Sequence, residues 1–189
     1  MDRWTRTHEA VQRAALELFV EQGYDATTVA QIARRAGVSE MSLFRHFATK
    51  SALLLDDPFD PLIGEAVLGR PADETPMRAV VEAVRATLAG LSDEVVPVLR
   101  QRLRIVAQAR SLDGALERNS AATAAVIADS LVSRGVEREA SRVVAAAVIA
   151  GLSAALLGWA RQDDRRLDQV LHAALDVLGG ASPCSASTT

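Results

Sequence analysis

The residues whose types and spacing suit recognition chemistry lie close together between Thr28 and Lys50. Glu40, Met41 and Ser42 are consecutive there. A glutamate can accept a hydrogen bond from the cytosine amino group, a methionine can pack against the thymine methyl group, and a serine hydroxyl suits more than one base. We therefore predict that these three side chains read base edges in double-stranded DNA.

Basic and hydroxyl groups flank these three residues. Arg45, His46 and Lys50 follow them, and Thr28 adds a hydroxyl group at a predicted helix start. We expect these four side chains to face phosphate oxygens. Lys50 is the only lysine among the 21 lysine and arginine residues, and its compact ammonium group suits a phosphate contact. The alternatives are a solvated helix face with accidental basic residues, and a surface lysine retained by chance.

Two short helices must position these groups, and the first has a clear start. Thr28 followed by Gln31 is a capping-box pattern, which predicts a helix that begins at Val29. Apolar residues then recur at helical spacing, and we expect them to pack inward. These residues are Val29, Ile32, Ala33 and Ala36.

The turn and the second helix follow directly. Gly37 lies where the turn needs a permissive backbone, Val38 is expected to be the buried residue of the turn, and Ser39 suits an N-cap. Leu43 and Phe47 are four residues apart and are expected to face the core. This pattern is typical of a helix-turn-helix, whose second helix enters the major groove of DNA.

The run from about Thr7 to Leu55, roughly a quarter of the chain, resembles the N-terminal domain of the TetR family of bacterial transcriptional regulators. The similarity is carried by LFVEQGYDATTV, IARRAGVS and SLFRHFATKSALL. In that family the aromatic, histidine and lysine residues of the motif contact phosphates, which implies the same for Phe44, His46 and Lys50. Phe44 stands where tyrosine is commoner, so it lacks the hydroxyl group for a phosphate hydrogen bond, but it is still expected to pack. The predicted DNA-binding residues are Thr28, Ser39, Glu40, Met41, Ser42, Phe44, Arg45, His46 and Lys50.

Composition favours an all-α fold. The chain has 189 residues, of which 49% are hydrophobic and only 4% aromatic, and no convincing alternation of polar and apolar residues indicates a strand. We predict a three-helix DNA-binding domain over residues 1–50, a helical-bundle ligand-binding and dimerisation domain over 51–180, and a disordered tail over 181–189.

The net charge of −3 is informative only when the chain is divided. Residues 26–50 carry four basic and one acidic side chain, whereas residues 51–189 carry fourteen basic and eighteen acidic ones. Positive charge is therefore concentrated where phosphates would be met.

Other functional classes find little support. Cys184 is the only cysteine and cannot form an internal disulfide, which indicates a reducing cytoplasm. Metal-ligand spacings, a signal peptide, a Gly-rich phosphate loop and the GxSxG and HExxH motifs are not found, so we expect no metal, no cofactor and no catalysis. The clustered Asp56, Asp57 and Asp60 suit turn chemistry beside prolines.

The helices beyond residue 50 can be placed from caps and breakers. The first is interrupted at residues 56–61 and resumes over Leu62–Leu68; Thr75 and Pro76 then begin the next. Further helices are expected from Ser92, with a kink or new start near Pro97, to about residue 109, and over residues 111–133, 137–161 and 165–178.

The uncharged segment 143–160 has two interpretations. Its length just reaches that of a membrane span, but its small residues and flanking arginines favour a buried helix at a helix–helix interface. The last two helices are the predicted dimer interface, and in TetR-like proteins they pair as a four-helix bundle. The alternative is that the same residues complete the protomer core. The predicted interface residues are Leu152, Leu156, Trp159, Leu167, Leu171 and Leu175.

We predict that the helices between residues 75 and 134 hold a small-molecule effector. The candidate contacts are Arg104, Gln108 and Trp159, whereas Arg100 and Arg104 together suit a solvated stripe. The segment LLLDDPFDPLIGEAV is also similar to regulators that accept acyl-CoA-like ligands, including those of the mycofactocin type.

These observations predict a cytoplasmic repressor that binds a palindromic operator as a homodimer and is released by a small molecule. The alternative is a helical adaptor or dimerisation protein without sequence-specific DNA binding.

Overall fold

The structure is a computed structural model, and it describes residues 2–56, 59–90, 92, 94–162 and 164–180. Throughout these ranges the regular elements are helices, and no strand occurs in them. The predicted all-α class is therefore confirmed. The described ranges contain ten α-helices: α1 (Arg3–Gln22), α2 (Val29–Arg35), α3 (Glu40–His46), α4 (Ala52–Leu55), α5 (Phe59–Leu68), α6 (Pro76–Leu88), α7 (Val95–Gln108), α8 (Asp113–Ser133), α9 (Arg138–Ala160) and α10 (Leu167–Leu178).

The N-terminal three-helix arrangement forms around one face of α1. That face is apolar at helical spacing and is buried, as are apolar side chains of α2, of α3 and of the residue that ends α3. The residues of this core are Val11, Ala14, Ala15, Leu18, Phe19, Ile32, Ala33, Leu43 and Phe47.

Two predicted helix limits needed revision. The structure begins α5 at Phe59, so Pro61 lies in its first turn instead of preceding it. A proline is tolerated there because the first N–H groups of a helix have no partner within it. Pro97 likewise lies in the first turn of α7. The segment after α7 forms a short 3₁₀ helix, Arg110–Leu112, before α8 begins.

The chain divides into two compact units. One unit contains the described residues up to Asp56 together with Gln101–Glu117, and the other contains the remaining described residues. Arg102 of α7 helps to join residues 101–117 to the first unit, because its guanidinium donates to the main-chain oxygens of Leu54 and Asp56. Main-chain oxygens are present at every residue, so the sequence carries no signal for such contacts.

In the second unit, α6 is buried along one face and α9 packs on α10. Gly151 of α9 allows this approach, because a Cβ atom there would lie 3.1 Å from both δ carbons of Leu178. Arg134 follows α8 and donates to the main-chain oxygens of Val67, Arg70 and Pro71, where α5 has ended. It thereby satisfies carbonyl groups at and just beyond the helix end. The predicted disordered tail, with Cys184, lies outside the described residues.

Candidate nucleic-acid interface

The predicted recognition helix is α3, and its position follows from its own sequence. Ser39 is its N-cap, and the Ser39 hydroxyl oxygen accepts a hydrogen bond from the main-chain N–H of Ser42 at 3.1 Å. Leu43 and Phe47 are fully buried. Gly37 in the preceding turn has φ of 69°, the left-handed conformation that glycine tolerates best. Val38 is only half-buried, so it is less enclosed than we predicted.

The start of α2 is equally well defined. The Thr28 hydroxyl oxygen accepts from the main-chain N–H of Gln31 at 3.2 Å, and the Gln31 side chain accepts from the main-chain N–H of Thr28 at 2.8 Å. This confirms the predicted capping box. Thr28 itself is exposed at the helix start.

The predicted base-reading side chains lie outside the core and face outward. Glu40 and Met41 are exposed, Met41 to 70%, and Ser42 is half-buried. A methionine this exposed contributes nothing to the protomer core. Phe44 is also exposed, contrary to our expectation that it would pack. Arg45 is exposed and His46 is half-buried.

A concave surface of about 620 Å³, which we call the basic concavity, lies beside α3. Four predicted DNA-binding residues line it, together with residues of the turn and three residues of α1 that sequence reasoning missed. Its lining consists of Arg3, Trp4, Thr7, Gly37, Val38, Ser39, Ser42, Arg45 and His46. The lining contains arginines and histidine but no carboxylate. Such a surface attracts phosphate groups.

Aromatic rings pack against His46. Its ring centre lies 4.7 Å from that of Trp4 and 5.8 Å from that of His8, and His8 stacks on Phe47 at 4.2 Å. We call Trp4, His8, His46 and Phe47 the aromatic cluster. The Nδ1 atoms of both histidines are buried without a hydrogen-bond partner. Burial lowers the pKa of His8, and the nearby His46 acts in the same direction.

Lys50 occupies a different environment from the other predicted phosphate contacts. Its ammonium group donates to the main-chain oxygen of Tyr24 at 2.5 Å and lies 4.1 Å from the centre of the Tyr24 ring. Partial burial lowers the pKa of Lys50, and the charge of Asp25 opposes that effect. Lys50 is therefore a structural residue in this structure, and its contact with phosphate stays a prediction.

One of the basic residues near the recognition helix is neutralised locally. Arg35 at the end of α2 forms a bidentate ion pair with Glu21 of α1 at 2.9 and 3.0 Å. It also donates a longer hydrogen bond to Glu17 at 3.3 Å. The Arg35 guanidinium lowers the pKa of Glu21. Arg35 thus ties α2 to α1, and it carries less of the positive field than the sequence count suggests.

The predicted effector residues fall in both units, so their role stays a prediction. Arg104 and Gln108 belong to the unit that contains α1, whereas Trp159 belongs to the other unit. Trp159 is buried, and its indole N–H donates to the main-chain oxygen of Arg165 at 2.9 Å. Arg100 is not part of a solvated stripe: its guanidinium lies 4.3 Å from the Trp159 ring and donates to the oxygens of Gln162 and Arg165.

A larger cavity of about 720 Å³, which we call the arginine cavity, lies within the second unit. It is lined by parts of α6, α7 and α10 and by the segment before α10, and its lining includes none of Arg104, Gln108 and Trp159. The lining residues are Arg85, Leu88, Ala89, Val96, Arg100, Asp164, Arg165, Arg166, Leu167, Asp168, Leu171, His172 and Leu175.

The predicted dimer residues mostly complete the protomer core. Five of the six are buried within one chain, and Leu156 is half-buried, so these side chains offer little surface to a partner. The five buried residues are Leu152, Trp159, Leu167, Leu171 and Leu175. This outcome corresponds to the alternative that the sequence left open.

Other apolar side chains of α9 and of α10 are exposed. Val143 and Val177 are 62% and 63% exposed, and alanines at helical spacing from them are also exposed. We call this set the exposed face: Val143, Ala147, Ala150, Ala154, Ala173 and Val177. By length and composition alone α9 could also cross a membrane, and only 28% of its most apolar stretch is buried. The predicted burial of this helix at a helix–helix interface is therefore only partly met within one protomer.

Comparison with known proteins supports the helix-turn-helix interpretation. The sequence model of bacterial regulatory proteins of the tetR family matches residues 12–56, and that of the MftR C-terminal domain matches residues 74–183. The regulator TcmR of Streptomyces glaucescens is 42% identical over 90 residues. That match covers 47% of this chain and 40% of TcmR, so the chain spans less than half of that relative.

Other relatives match over most of the chain. The putative mycofactocin biosynthesis regulator MftR of Mycobacterium tuberculosis is 29% identical over 184 residues, or 94% of this chain and 91% of MftR. The structure of NalD, a repressor from Pseudomonas aeruginosa, has a TM-score of 0.55 at 27% identity and covers 94% of this chain and 97% of its own. The match to the MftR C-terminal domain alone extends over more than half of the sequence. The chain therefore belongs to the TetR family and is a DNA-binding transcriptional regulator.

Proposed function

We propose that this protein is a homodimeric repressor that binds a palindromic operator and is released from it by a small-molecule effector. The observation that carries this proposal is the basic concavity beside α3, where Ser39, Ser42, Arg45 and His46 meet without a carboxylate in the lining. A helical adaptor that does not bind DNA would not require such a basic surface. The field it creates favours phosphate oxygens over other partners.

Within this function, α3 reads the major groove. Glu40 and Met41 are exposed near the start of the helix, where a recognition helix contacts base edges. Arg45, His46 and Thr28 contact the DNA backbone and orient the helix, which adds affinity without sequence preference.

Dimerisation uses the exposed face of α9 and α10. A recognition helix of seven residues reads only a few base pairs. Specificity therefore requires a symmetric pair of N-terminal DNA-binding domains, which we call heads, on two half-sites. Val143 and Val177 are the largest apolar groups of that face, and the alanines between them allow another helix to come close. A second copy that covers this face would remove the apolar surface of α9 from water.

The effector occupies the arginine cavity. Its volume of about 720 Å³ lies within the range of small-molecule sites, which is roughly 300–1,000 Å³. Leucines and a valine form part of its wall, and its four arginines outnumber the two aspartates of the lining. Two of these arginines form ion pairs, Arg85 with Asp176 and Arg166 with Asp168, so Arg100 and Arg165 contribute most of the positive charge. A largely apolar molecule with an anionic end, of the acyl-CoA type, matches this combination. Its binding would favour the spacing of the heads that does not fit DNA, which is a population shift.

We propose repression because it is the commoner direction of regulation in related proteins. NalD and SmeT are described as repressors, whereas FasR is described as an activator. We propose repression by a cytoplasmic protein that occupies its operator until the effector binds.

The test is the capture of sheared DNA from the source genome by the purified full-length protein, followed by sequencing. A shared palindrome with half-sites about one helical turn apart, or a multiple of that, is expected of a dimeric reader. Recovery of no preferred site would contradict the operator proposal. For the effector, palmitoyl-CoA should raise the melting temperature and release the captured operator, whereas free CoA should do neither. If palmitoyl-CoA has neither effect, the acyl-CoA class is wrong.

A further inference from the structure

The first turn of α1 forms one wall of the basic concavity. Arg3, Trp4 and Thr7 line it opposite residues of α3, although more than thirty residues separate the two segments in sequence. Neither the helix-turn-helix pattern nor the charge pattern of the recognition helix pointed to these residues. They therefore need an explanation of their own.

Trp4 has an unusual position for so large an apolar side chain. It is 57% exposed, yet it stacks on His8 with ring centres 5.0 Å apart and contacts the His46 ring at 4.7 Å. Full burial of an aromatic side chain would stabilise the protomer more. Trp4 instead covers one side of His46, which limits the orientations that the imidazole can adopt.

Arg3 supplies charge at the same wall. It is exposed, and it lines the concavity together with Arg45. The turn that carries it is well ordered, because the Asp2 carboxylate accepts a hydrogen bond from the main-chain N–H of Thr5 at 2.7 Å. Asp2 is the only acidic residue within the first eight, and that N-cap contact occupies one of its oxygens.

We propose that the first turn of α1 is a second DNA-contacting element, in which Arg3 binds a phosphate of the DNA backbone and Trp4 positions His46 for the same strand. Arg3 and Arg45 then hold the backbone from two sides of the concavity. The inference rests on the proposed function and deepens it, because it adds a backbone contact outside the helix-turn-helix. Such a contact fixes the register of the head on the duplex without reading bases.

The experiment compares Arg3→Ala and Trp4→Ala with wild type on a random-sequence 40-base-pair duplex, from 50 to 300 mM salt. Arg3→Ala should weaken binding roughly three- to tenfold at the lower salt concentrations. It should also reduce the slope of log K against log salt by about one. Trp4→Ala should weaken binding with a smaller change in slope, since it removes no charge.

Matched variants separate contact from folding. Arg13→Ala removes the same charge from an exposed position on α1 that does not line the concavity, and it should leave the slope within error of wild type. Arg3→Lys should restore most of the slope, and Trp4→Phe should restore most of the affinity. Thermal unfolding of every variant shows whether α1 is intact.

Two outcomes overturn the inference. If Arg3→Ala and Arg13→Ala have the same affinity and slope, Arg3 does not contact phosphate. If Trp4→Phe is as weak as Trp4→Ala, the aromatic contact does not position His46. Both comparisons use random DNA, so they stand even if genomic capture finds no operator. Conversely, if genomic capture recovers a palindrome while Arg3→Ala has no effect on DNA binding, the proposed function stands and only this inference is rejected.

Discussion

The ammonium group of Lys50 lies 2.5 Å from the main-chain oxygen of Tyr24 and 4.1 Å from the centre of the Tyr24 ring. The only lysine of the chain thus joins the residues just after the recognition helix to the loop that follows α1. An ammonium group has three donors, and this contact uses one. Lys50 therefore joins two segments of the DNA-binding domain, and its contact with a phosphate through the remaining donors stays a prediction.

We expect Lys50→Ala to change two properties at once. It should weaken binding about equally across DNA sequences and reduce the salt slope by about one, through loss of a phosphate contact. It should also lower the free energy of unfolding by about 1–3 kcal/mol, because the charged hydrogen bond and the ring contact are lost. Duplex titration and urea unfolding measure the two effects. Tyr24→Phe keeps both the ring and the main-chain oxygen and should change neither. A Lys50→Ala protein that is folded and binds DNA with unchanged affinity and slope would show that Lys50 has only the structural role.

Substitution of the exposed residues at the start of α3 should alter base preference. Glu40→Ala and Met41→Ala each remove a predicted contact with a base edge, worth about 1–3 kcal/mol of discrimination when the contact is good. Selection from a randomised duplex library should yield a changed consensus at one position in each half-site. Arg45→Ala, which removes a proposed contact with the DNA backbone, should weaken binding and preserve the consensus. A uniform loss of affinity with an unchanged consensus in both Glu40→Ala and Met41→Ala would refute the assignment of base readers.

The exposed face of α9 offers a test of dimerisation. Ala147→Glu places a charge in the middle of that face, and an uncompensated buried charge is costly. We expect a monomer by sedimentation at micromolar concentration and loss of operator binding. Ala125→Glu is the matched control, because Ala125 is exposed on α8, and it should behave as wild type. A dimeric Ala147→Glu protein would place the interface elsewhere.

Arg134 should be worth more to stability than its partly exposed position suggests. Its guanidinium donates to three main-chain oxygens, those of Val67, Arg70 and Pro71. Arg134→Ala should lower the free energy of unfolding by about 1–3 kcal/mol, since charged hydrogen bonds are lost. The oxygens of Val67 and Pro71 keep main-chain N–H donors, from Arg70 and Glu74. Arg118→Ala, at an exposed position of α8, should change it by less than about 0.5 kcal/mol. Equal effects of the two substitutions in urea unfolding would argue against the role given to Arg134.

The free energy of unfolding should depend on pH through His8 of the aromatic cluster. Burial and the proximity of His46 lower the pKa of His8 in the folded state, so the unfolded chain takes up the proton first. The contribution of neutral His8 is therefore complete above about pH 6.5 and is lost as the pH falls below it. Asp56 and Glu9, whose charges favour protonated His8, limit the effect.

We expect wild type to lose more unfolding free energy than His8→Phe between pH 7.5 and 5.5, as measured by urea unfolding. The phenyl ring keeps the stacking but does not titrate, and Asp56 and Glu9 are present in both proteins. His172→Gln, a change of an exposed histidine outside the cluster, serves as the control. Parallel pH profiles for wild type and His8→Phe would mean that His8 is not the titrating group.

Much of the head could be predicted because its signals are local. The Thr28–Gln31 capping box, the Ser39 N-cap and the left-handed Gly37 all depend on contacts within three or four residues. The same holds for the inward Leu43 and Phe47, whose spacing alone places them on one face of a short helix. The family resemblance then supplied the partner, and the matches to known proteins confirmed it.

The missed features depend on long separations or on the main chain. Arg3 and Trp4 join the basic concavity only because α1 brings them to α3, and Lys50 reaches Tyr24 across 26 residues. Arg102 and Arg134 bind main-chain oxygens, which leave no trace in a sequence.

The amino-acid sequence by itself determined the helical class, the two helices of the helix-turn-helix and the outward position of Glu40 and Met41, because caps, turns and periodicity act over a few bonds. It could not decide which sides of α9 and α10 are buried, since α9 is apolar or small nearly all round and both of its sides look alike. Only tertiary packing assigned Leu152 and Trp159 to the core and left Val143 and Val177 exposed. Burial depends on which neighbours fold back onto a helix, and that is a property of the whole chain.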